Sequence, residues 1–440
     1  MTTLRAIPFT LAMVALSGGA HWVIVRWVTR AFPRTAPHRR ALLGVAAIVV
    51  LVPIVARLLA VTTRASLAET LQAYGTMEMM LALLGALPLL VMQGLTTLVT
   101  RGPSAPSLVH GPRDGRDAAG AGDAADAREA AGAGPAADAR EERAAAEGAR
   151  AMDTVSAPPP FEGTLSRRQM IERAGGLLVL GTTATTLGWG AIRGRHAFAV
   201  EEVPVRIAGL ARALDGYTIA QVSDIHVGVF VGERELREGL DRVRAMRPDM
   251  VVATGDLVDY DPRYATQMAR ALGDLAPRDG VFAILGNHDY YTGAEAVKQA
   301  LGRSGVQLLM NEGLRIRPAD GGGFALLGVD DYAGFDVGSG PDLRRAMAMV
   351  PEDRPRILLA HQPKFFDRSA GKVALQLSGH THGGQINIGV RPVDLFMKYV
   401  AGRYERSGTA LWVNRGFGVA GPPARIGAPP EITKIVLVAA

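Results

Sequence analysis

Three long apolar runs crowd the first hundred positions of this chain, from Ile7 to Trp27, Ala41 to Val61 and Met77 to Val99. A helix of about 20 apolar residues matches the hydrocarbon core of a bilayer, roughly 30 Å thick. Buried helices of a soluble core seldom recur so closely, joined by short loops that carry arginine. Residues 1–102 therefore read as a membrane region with three transmembrane helices.

A fourth uncharged run, from Ala174 to Ile192, follows Ser166-Arg167-Arg168-Gln169-Met170-Ile171. That hexapeptide is similar to a twin-arginine export motif, with Met170 where Phe is usual. Ala197-Phe198-Ala199 follows, the small-x-small pattern of a signal-peptidase site. Of the two readings of segment 166–200, an uncleaved fourth helix is favoured over an internal cleavable signal. Between the membrane region and this segment, residues 103–165 are Ala, Gly, Asp, Glu and Arg in low-complexity order, with Pro158-Pro159-Pro160 near the end. Such a stretch has little to bury and reads as a flexible linker.

The net charge of +6 falls wholly in the N-terminal part, where residues 1–200 hold 20 Arg and no Lys against 14 acidic residues. Residues 201–440 are balanced, with 28 basic and 28 acidic. The excess is thus a matter of membrane topology, and no nucleic-acid partner is expected. Arg30, Arg34, Arg39 and Arg40 place the first loop in the cytoplasm, and the loop of residues 62–76, with Arg64 balanced by Glu69, outside. Arg167, Arg168 and Arg173 then lie in the cytoplasm and the fourth helix exits, with Arg193 and Arg195 as a weaker opposing vote. The expectation is a multi-pass protein of the cell membrane with its C-terminal domain on the extracytoplasmic side. The chain has no cysteine, which excludes disulfides and thiolate metal sites.

From Tyr217 onward short Val/Ile/Leu-rich runs alternate with helical patterns. Thr218–Val222, Met250–Ala253, Val281–Leu285, Phe324–Gly328, Ile357–Ala360 and Val373–Leu377 predict buried strands, and Glu233–Met246 predicts a helix. The fold class is α/β. Almost every strand runs into a polar cluster: Asp224-Ile225-His226, Gly255-Asp256-Leu257-Val258-Asp259, Gly286-Asn287-His288-Asp289, Ala360-His361-Gln362-Pro363 and Gly379-His380-Thr381-His382-Gly383-Gly384-Gln385. All five histidines beyond residue 200 fall in these clusters. Asp-x-His in an extended segment would turn both side chains to one ion. Oxygen and imidazole donors without sulfur suit Mn, Fe, Zn or Mg. Seven candidates are too many for one ion, and two divalent ions sharing a carboxylate are the natural arrangement.

These ordered motifs resemble the calcineurin-like metallophosphoesterase superfamily over residues 203–440. The late Arg415-Gly416-Phe417-Gly418 and Pro429-Pro430-Glu431-Ile432 are similar to its bacterial membrane-associated or exported phosphodiesterase-like branch. The resemblance implies a two-sheet sandwich flanked by helices, with the site at the strand ends. It implies one metal on Asp224, His226 and His382, a second on Asn287, His361 and His380, and Asp256 bridging. It implies further that His288 faces the phosphate as a catalytic residue and that Asp289 orients it. Asp259 where purple acid phosphatases carry Tyr, and Asp259-Tyr260-Asp261 and Asp289 where Ser/Thr protein phosphatases carry Asp-Arg-Gly and Glu, make both subclasses a poor fit. Asp259, Asp261, Asp330 and Asp331 read as turn or capping residues, whereas Tyr290, Tyr291 and Arg415 either line the cleft or pack.

The expected function is hydrolysis of a phosphodiester or pyrophosphate, with a lipid-linked substrate first, by hydroxide generated at the metals. A soluble extracytoplasmic phosphodiester is the alternative. A non-enzymatic binding module on the same fold would have lost ligands, and none is missing.

Overall fold

The computed structural model describes residues 3–63, 66–100, 165–317, 322–350 and 353–440. All but the last residue of the expected linker lie outside these. The chain divides into two compact units, Met1–Val91 with Gly176–Ala440, and Met92–Gly175.

The N-terminal helices are α1 (Thr3–Ala31), α2 (Arg39–Thr63), α3 (Ser66–Thr100) and α4 (Arg167–Ile192). Among the described residues, four segments are long and apolar enough to cross a membrane: Leu11–Ala31, Pro33–Val52, Gly75–Thr97 and Arg167–His196. α3 starts at Ser66, so most of the loop expected over 62–76 is helical. Two ionisable groups of these apolar helices satisfy each other, with His21 Nε2 2.5 Å from Glu78 Oε1.

In the second unit, the arginine-pair motif opens α4 with a reciprocal cap. Ser166 Oγ accepts from the Gln169 N–H at 3.2 Å, and Gln169 Oε1 accepts from the Ser166 N–H at 3.1 Å. A Ser-x-x-Gln pair satisfies two orphan donors of a helix start, so this motif has a structural use in the helix it begins.

The C-terminal domain is built on two sheets. The first has the order β1 (Ala199–Ile207), β12 (Glu431–Ala439), β2 (Thr218–Val222), β3 (Met250–Thr254), β4 (Val281–Ile284), β5 (Gln307–Leu308). The second runs β10 (Gly402–Arg406), β11 (Thr409–Val413), β9 (Leu375–Ser378), β8 (Arg356–Leu359), β7 (Phe324–Gly328), β6 (Glu312–Ile316). Side chains alternate faces along a strand, and β3 shows the result. Met250 and Val252 join Phe324, Leu326, Ile357 and Leu377 in the core between the sheets. Val251 and Ala253 face the other way, against Leu236, Leu240 and Val243 of α5 (Glu233–Ala245). A third cluster, including Leu358, Leu343 and Phe365, covers the outer face of the second sheet. Each fully buried Leu, Val or Phe contributes about 1.5–3 kcal/mol.

α5 follows the expected pattern, with Glu233 and Glu235 in its first turn and Arg242 and Arg244 in its last, where they complement the helix dipole. β1 begins at Ala199, ahead of the expected Val203, and pairs in parallel with β12 from Ala199↔Glu431 onward. The small-x-small tripeptide therefore runs into the sheet, with the Phe198 ring 4.8 Å from that of Phe417.

Candidate metal centre

β2, β3 and β4 are mutually parallel, as are β8 and β9, so the loops after their C-terminal ends gather at one edge. Ligands in open α/β sheets bind in that position. The pairing of β2 with β3 continues past the strands, since the Asp224 N–H donates to Gly255 O at 2.9 Å and the His226 N–H to Asp256 O at 3.1 Å.

The backbone there is not extended, contrary to the expectation from Asp-x-His. Asp224 (φ 50°), His226 (φ 50°), Asp256 (φ 51°), His380 (φ 73°) and His382 (φ 52°) all lie in the left-handed region. Asp and His enter it more readily than most residues, yet each such conformation stores strain of order 1 kcal/mol or more. Five of the seven expected ligands thus converge through kinked loops, not through alternation along a strand. Glycines make the close approaches possible. A Cβ on Gly286 would lie 2.2 Å from Asp256 Oδ1, and one on Gly379 2.2 Å from Asp224 Oδ2.

The expected ligands meet in two groups, Asp224 with His226 and His382, and Asp256 with His361 and His380, and a third group, His226 with Asp259 and His288, adjoins them. In the first, His382 Nε2 lies 3.5 Å from Asp224 Oδ1 and 3.1 Å from His226 Nε2. In the second, His361 Nε2 lies 3.2 Å from His380 Nδ1. Asp256 stands between them, with Oδ2 3.2 Å from His361 Nε2 and 3.7 Å from His226 Nε2. Its Oδ1 accepts from the His288 N–H at 2.8 Å. His361 Nδ1 donates to Thr254 O at 2.8 Å, which fixes the ring and turns Nε2 inward.

Burial, then the neighbouring His361, pushes His380 down to about 3, so its ring is neutral. Burial and the Arg425 guanidinium do the same for His382. Burial opposes ionisation of Asp256, but His361 and His288 hold it well below the usual carboxylate range. The residues fit divalent cations. Asn287 Oδ1 is buried with no hydrogen-bond partner among the described residues, a costly state for an acceptor that a cation would relieve. The donor set is nitrogen and oxygen only, with carboxylates to balance positive charge.

Comparison with known proteins bears on the same segment. The calcineurin-like phosphoesterase family model matches residues 217–384. An uncharacterised metallophosphoesterase of Bacillus subtilis is 31% identical over 283 residues, covering 62% of this chain and 98% of that protein. The chain belongs to the calcineurin-like phosphoesterase family. A transmembrane protein with metallophosphoesterase domain from Danio rerio is 33% identical over 271 residues, 59% of this chain and 62% of its own length. An uncharacterised metallophosphoesterase of Campylobacter jejuni is 37% identical over 239 residues, 53% and 61%. The matched region thus spans about three-fifths of the length of these two relatives.

Within this calcineurin-like centre, the Asp289 carboxylate is set against backbone N–H groups. Its Oδ1 accepts from the Leu257 and Val258 N–H groups at 2.9 and 3.2 Å, and its Oδ2 from the Gly286 N–H at 2.8 Å. It ties the loop after β3 to the loop after β4. Burial and the nearby Asp256 raise its pKa to about 7. The carboxylate on the ring is Asp259, whose Oδ1 lies 3.2 Å from His288 Nδ1 and 3.5 Å from His226 Nδ1. Asp259 is therefore more than a turn residue. Burial disfavours a charged His288, but Asp256 and Asp259 raise it to about 9.

Asp261 caps a short helical turn, and Asp330 and Asp331 accept backbone N–H groups, as turn residues do. Tyr290 packs inward and donates to Asp330 Oδ1 at 2.5 Å, whereas the half-exposed Tyr291 and Tyr260 rings flank His288 at 5.6 and 5.2 Å. Arg415 is held in ion pairs by Glu201 and Glu431.

Arg425 was not foreseen. It is fully buried, with Nη2 3.1 Å from His382 Nδ1 and donating to the carbonyls of Gly416 and Gly418, while Nη1 donates to Arg415 O at 2.7 Å. An arginine in a Pro/Gly-rich loop ordinarily reads as solvent-facing, and no spacing marks it otherwise.

Proposed function

We propose that this protein is a membrane-anchored, metal-dependent hydrolase that cleaves a phosphodiester or pyrophosphate bond carried by a lipid, on the extracytoplasmic side of the cell membrane. The observation that carries this reading is Asp256 Oδ2, 3.2 Å from His361 Nε2 and 3.7 Å from His226 Nε2, shared between two donor groups. Asp224, His226 and His382 would hold one divalent ion, and Asn287, His361 and His380 the other, with Asp256 common to both. Mn, Fe, Zn and Mg all suit these donors. The chemistry such a pair supplies is water acidic enough to attack at neutral pH, together with neutralisation of phosphoryl charge.

The remaining work falls to the chain's own groups. Asp259 engages Nδ1 of His288, which leaves Nε2 to donate to a phosphoryl oxygen or to pass a proton to the leaving oxygen. Asp289 keeps His288 and Asp256 in register by clamping their two loops. Tyr260 and Tyr291 flank the ring.

The membrane part of the proposal divides the chain into a membrane region (1–102), a linker (103–165), a fourth helix retained uncleaved (166–200) and the hydrolase domain (203–440, with its first strand from Ala199). It is supported by four helices of spanning length among the described residues, by the arginine distribution, and by the likeness to the Danio rerio transmembrane protein with metallophosphoesterase domain. The test uses the full chain in detergent, stripped by chelator and reloaded with Mn, against lipid monophosphates, phosphodiesters and pyrophosphates. Hydrolysis of at least one class is expected. Turnover of none, in protein shown to carry metal, would overturn the reading.

A further inference from the structure

The end of α4 reaches the metal centre by a short chain of contacts. In its last turns, Gly190 O accepts from the Arg425 N–H at 3.1 Å, and a Cβ on Gly190 would lie 2.7 Å from the Ile426 side chain. Ile426 forms a parallel bridge with Ile386, in which the Ile426 N–H donates to Gln385 O at 2.9 Å and the Asn387 N–H to Ile426 O at 2.8 Å. Ile386 follows His382-Gly383-Gly384-Gln385 directly. Beyond it the chain loops out over residues 387–398 and folds back on Gly384, where a Cβ would lie 2.8 Å from Val393.

That loop leaves four apolar side chains uncovered. Ile388 is 53% exposed, Val390 68%, Leu395 81% and Phe396 86%. Trp189 and Ile192, at the end of α4, are 54% and 71% exposed. Soluble surfaces carry scattered apolar residues, but such a concentration beside a catalytic cluster marks an interaction site.

We propose that the loop of residues 386–398 seats in the surface of the bilayer that α4 crosses, so that the metal centre takes its phosphoester from the membrane and not from solution. The proposal rests on the membrane-anchored reading above and names its substrate source. The occupant is lipid because of what the loop is attached to. Its first residue is bridged to Ile426, next to the Arg425 N–H that donates to Gly190 of α4, so a bilayer around α4 lies within reach of Leu395 and Phe396. The exposed Arg193 follows the apolar part of α4, as arginines do at the headgroup level, while Arg195 donates to Phe230 O at 3.2 Å. Arg391 and Lys398 are engaged by Asp394 and Asp367, so the apolar side chains and not free charge supply the attachment.

The chain has no cysteine, so Phe396→Cys carries a single environment-sensitive fluorophore in the full-length protein. The protein is reconstituted in phosphatidylcholine vesicles doped with phosphatidylglycerol. Blue-shifted emission, quenched by lipids bearing a nitroxide near the headgroup and protected from iodide, is expected. Emission like that in water, open to iodide, would overturn the proposal. A blue shift without nitroxide quenching would show the loop covered by protein and overturn it equally. In a second arm, Leu395→Asp/Phe396→Asp should raise the ratio of bis(4-nitrophenyl) phosphate turnover to vesicle-borne phosphoester turnover at least tenfold, and an unchanged ratio counts against the proposal. The fluorescence arm needs no catalysis, so failure of the hydrolase reading and failure of the membrane seat are distinguishable.

Discussion

Removing the His288 ring separates proton donation from charge stabilisation, because the two respond differently to the leaving group. In His288→Ala the backbone N–H that donates to Asp256 is retained, and what is removed is the ring that lies edge-on to His226 at 4.6 Å. Proton donation in the transition state supplies roughly 10²–10⁴-fold, about 2.7–5.4 kcal/mol at 1.36 kcal/mol per tenfold. An alkoxide needs that proton and nitrophenolate does not. His288→Ala should therefore lose two to four decades of kcat on alkyl phosphodiesters and about one on nitrophenyl esters, with metal content unchanged. Asp259→Asn keeps an acceptor against His288 Nδ1 at the observed 3.2 Å but exchanges a charge-assisted hydrogen bond for a neutral one. That difference is about 1–1.5 kcal/mol, so a loss of roughly tenfold is expected, again greater for alkyl leaving groups. The assay is steady-state hydrolysis of a leaving-group series, paired with metal analysis of each variant. Equal losses across the series, in protein holding its full metal complement, would refute proton donation by His288 and leave it a charge-stabilising role.

Chelation should abolish activity and added Mn restore it, with metal analysis reading two ions per active chain; a single ion in fully active protein would remove Asp256 from a bridging position. Asp256→Asn should weaken both sites together, whereas His382→Ala should empty mainly one, as titration calorimetry with Mn would distinguish. Asp289→Asn places an amide donor against backbone N–H groups that now have only acceptors, and should destabilise the domain by about 1–3 kcal/mol in chemical denaturation. A reporter fused after Val205 should read as exported and one inserted at Gly148 as cytoplasmic; the same side at both points would show that α4 does not cross.

Much of this was readable from local sequence. The apolar runs declare their length, the buried strands are short runs rich in Val, Ile and Leu, and each candidate ligand sits just past such a run. Strand β1 is different, because Glu201, Glu202 and Arg206 interrupt it and its partner β12 lies at the far end of the chain. A pairing of that range leaves no periodic trace. The division of labour between Asp259 and Asp289 was equally out of reach. Both flank the right loops in sequence, and only the approach of the β3 and β4 loops aims one carboxylate at an imidazole ring and the other at three backbone N–H groups. Arg425 makes the same point, since its guanidinium is satisfied by carbonyls that a folded loop alone brings together. Composition and order along the chain determined which residues are available to bind metal and which segments are apolar enough for a membrane, since both are properties of neighbours in sequence. Which polar group answers which was decided by the tertiary structure, because a hydrogen bond is a matter of distance and direction between segments the chain itself keeps far apart.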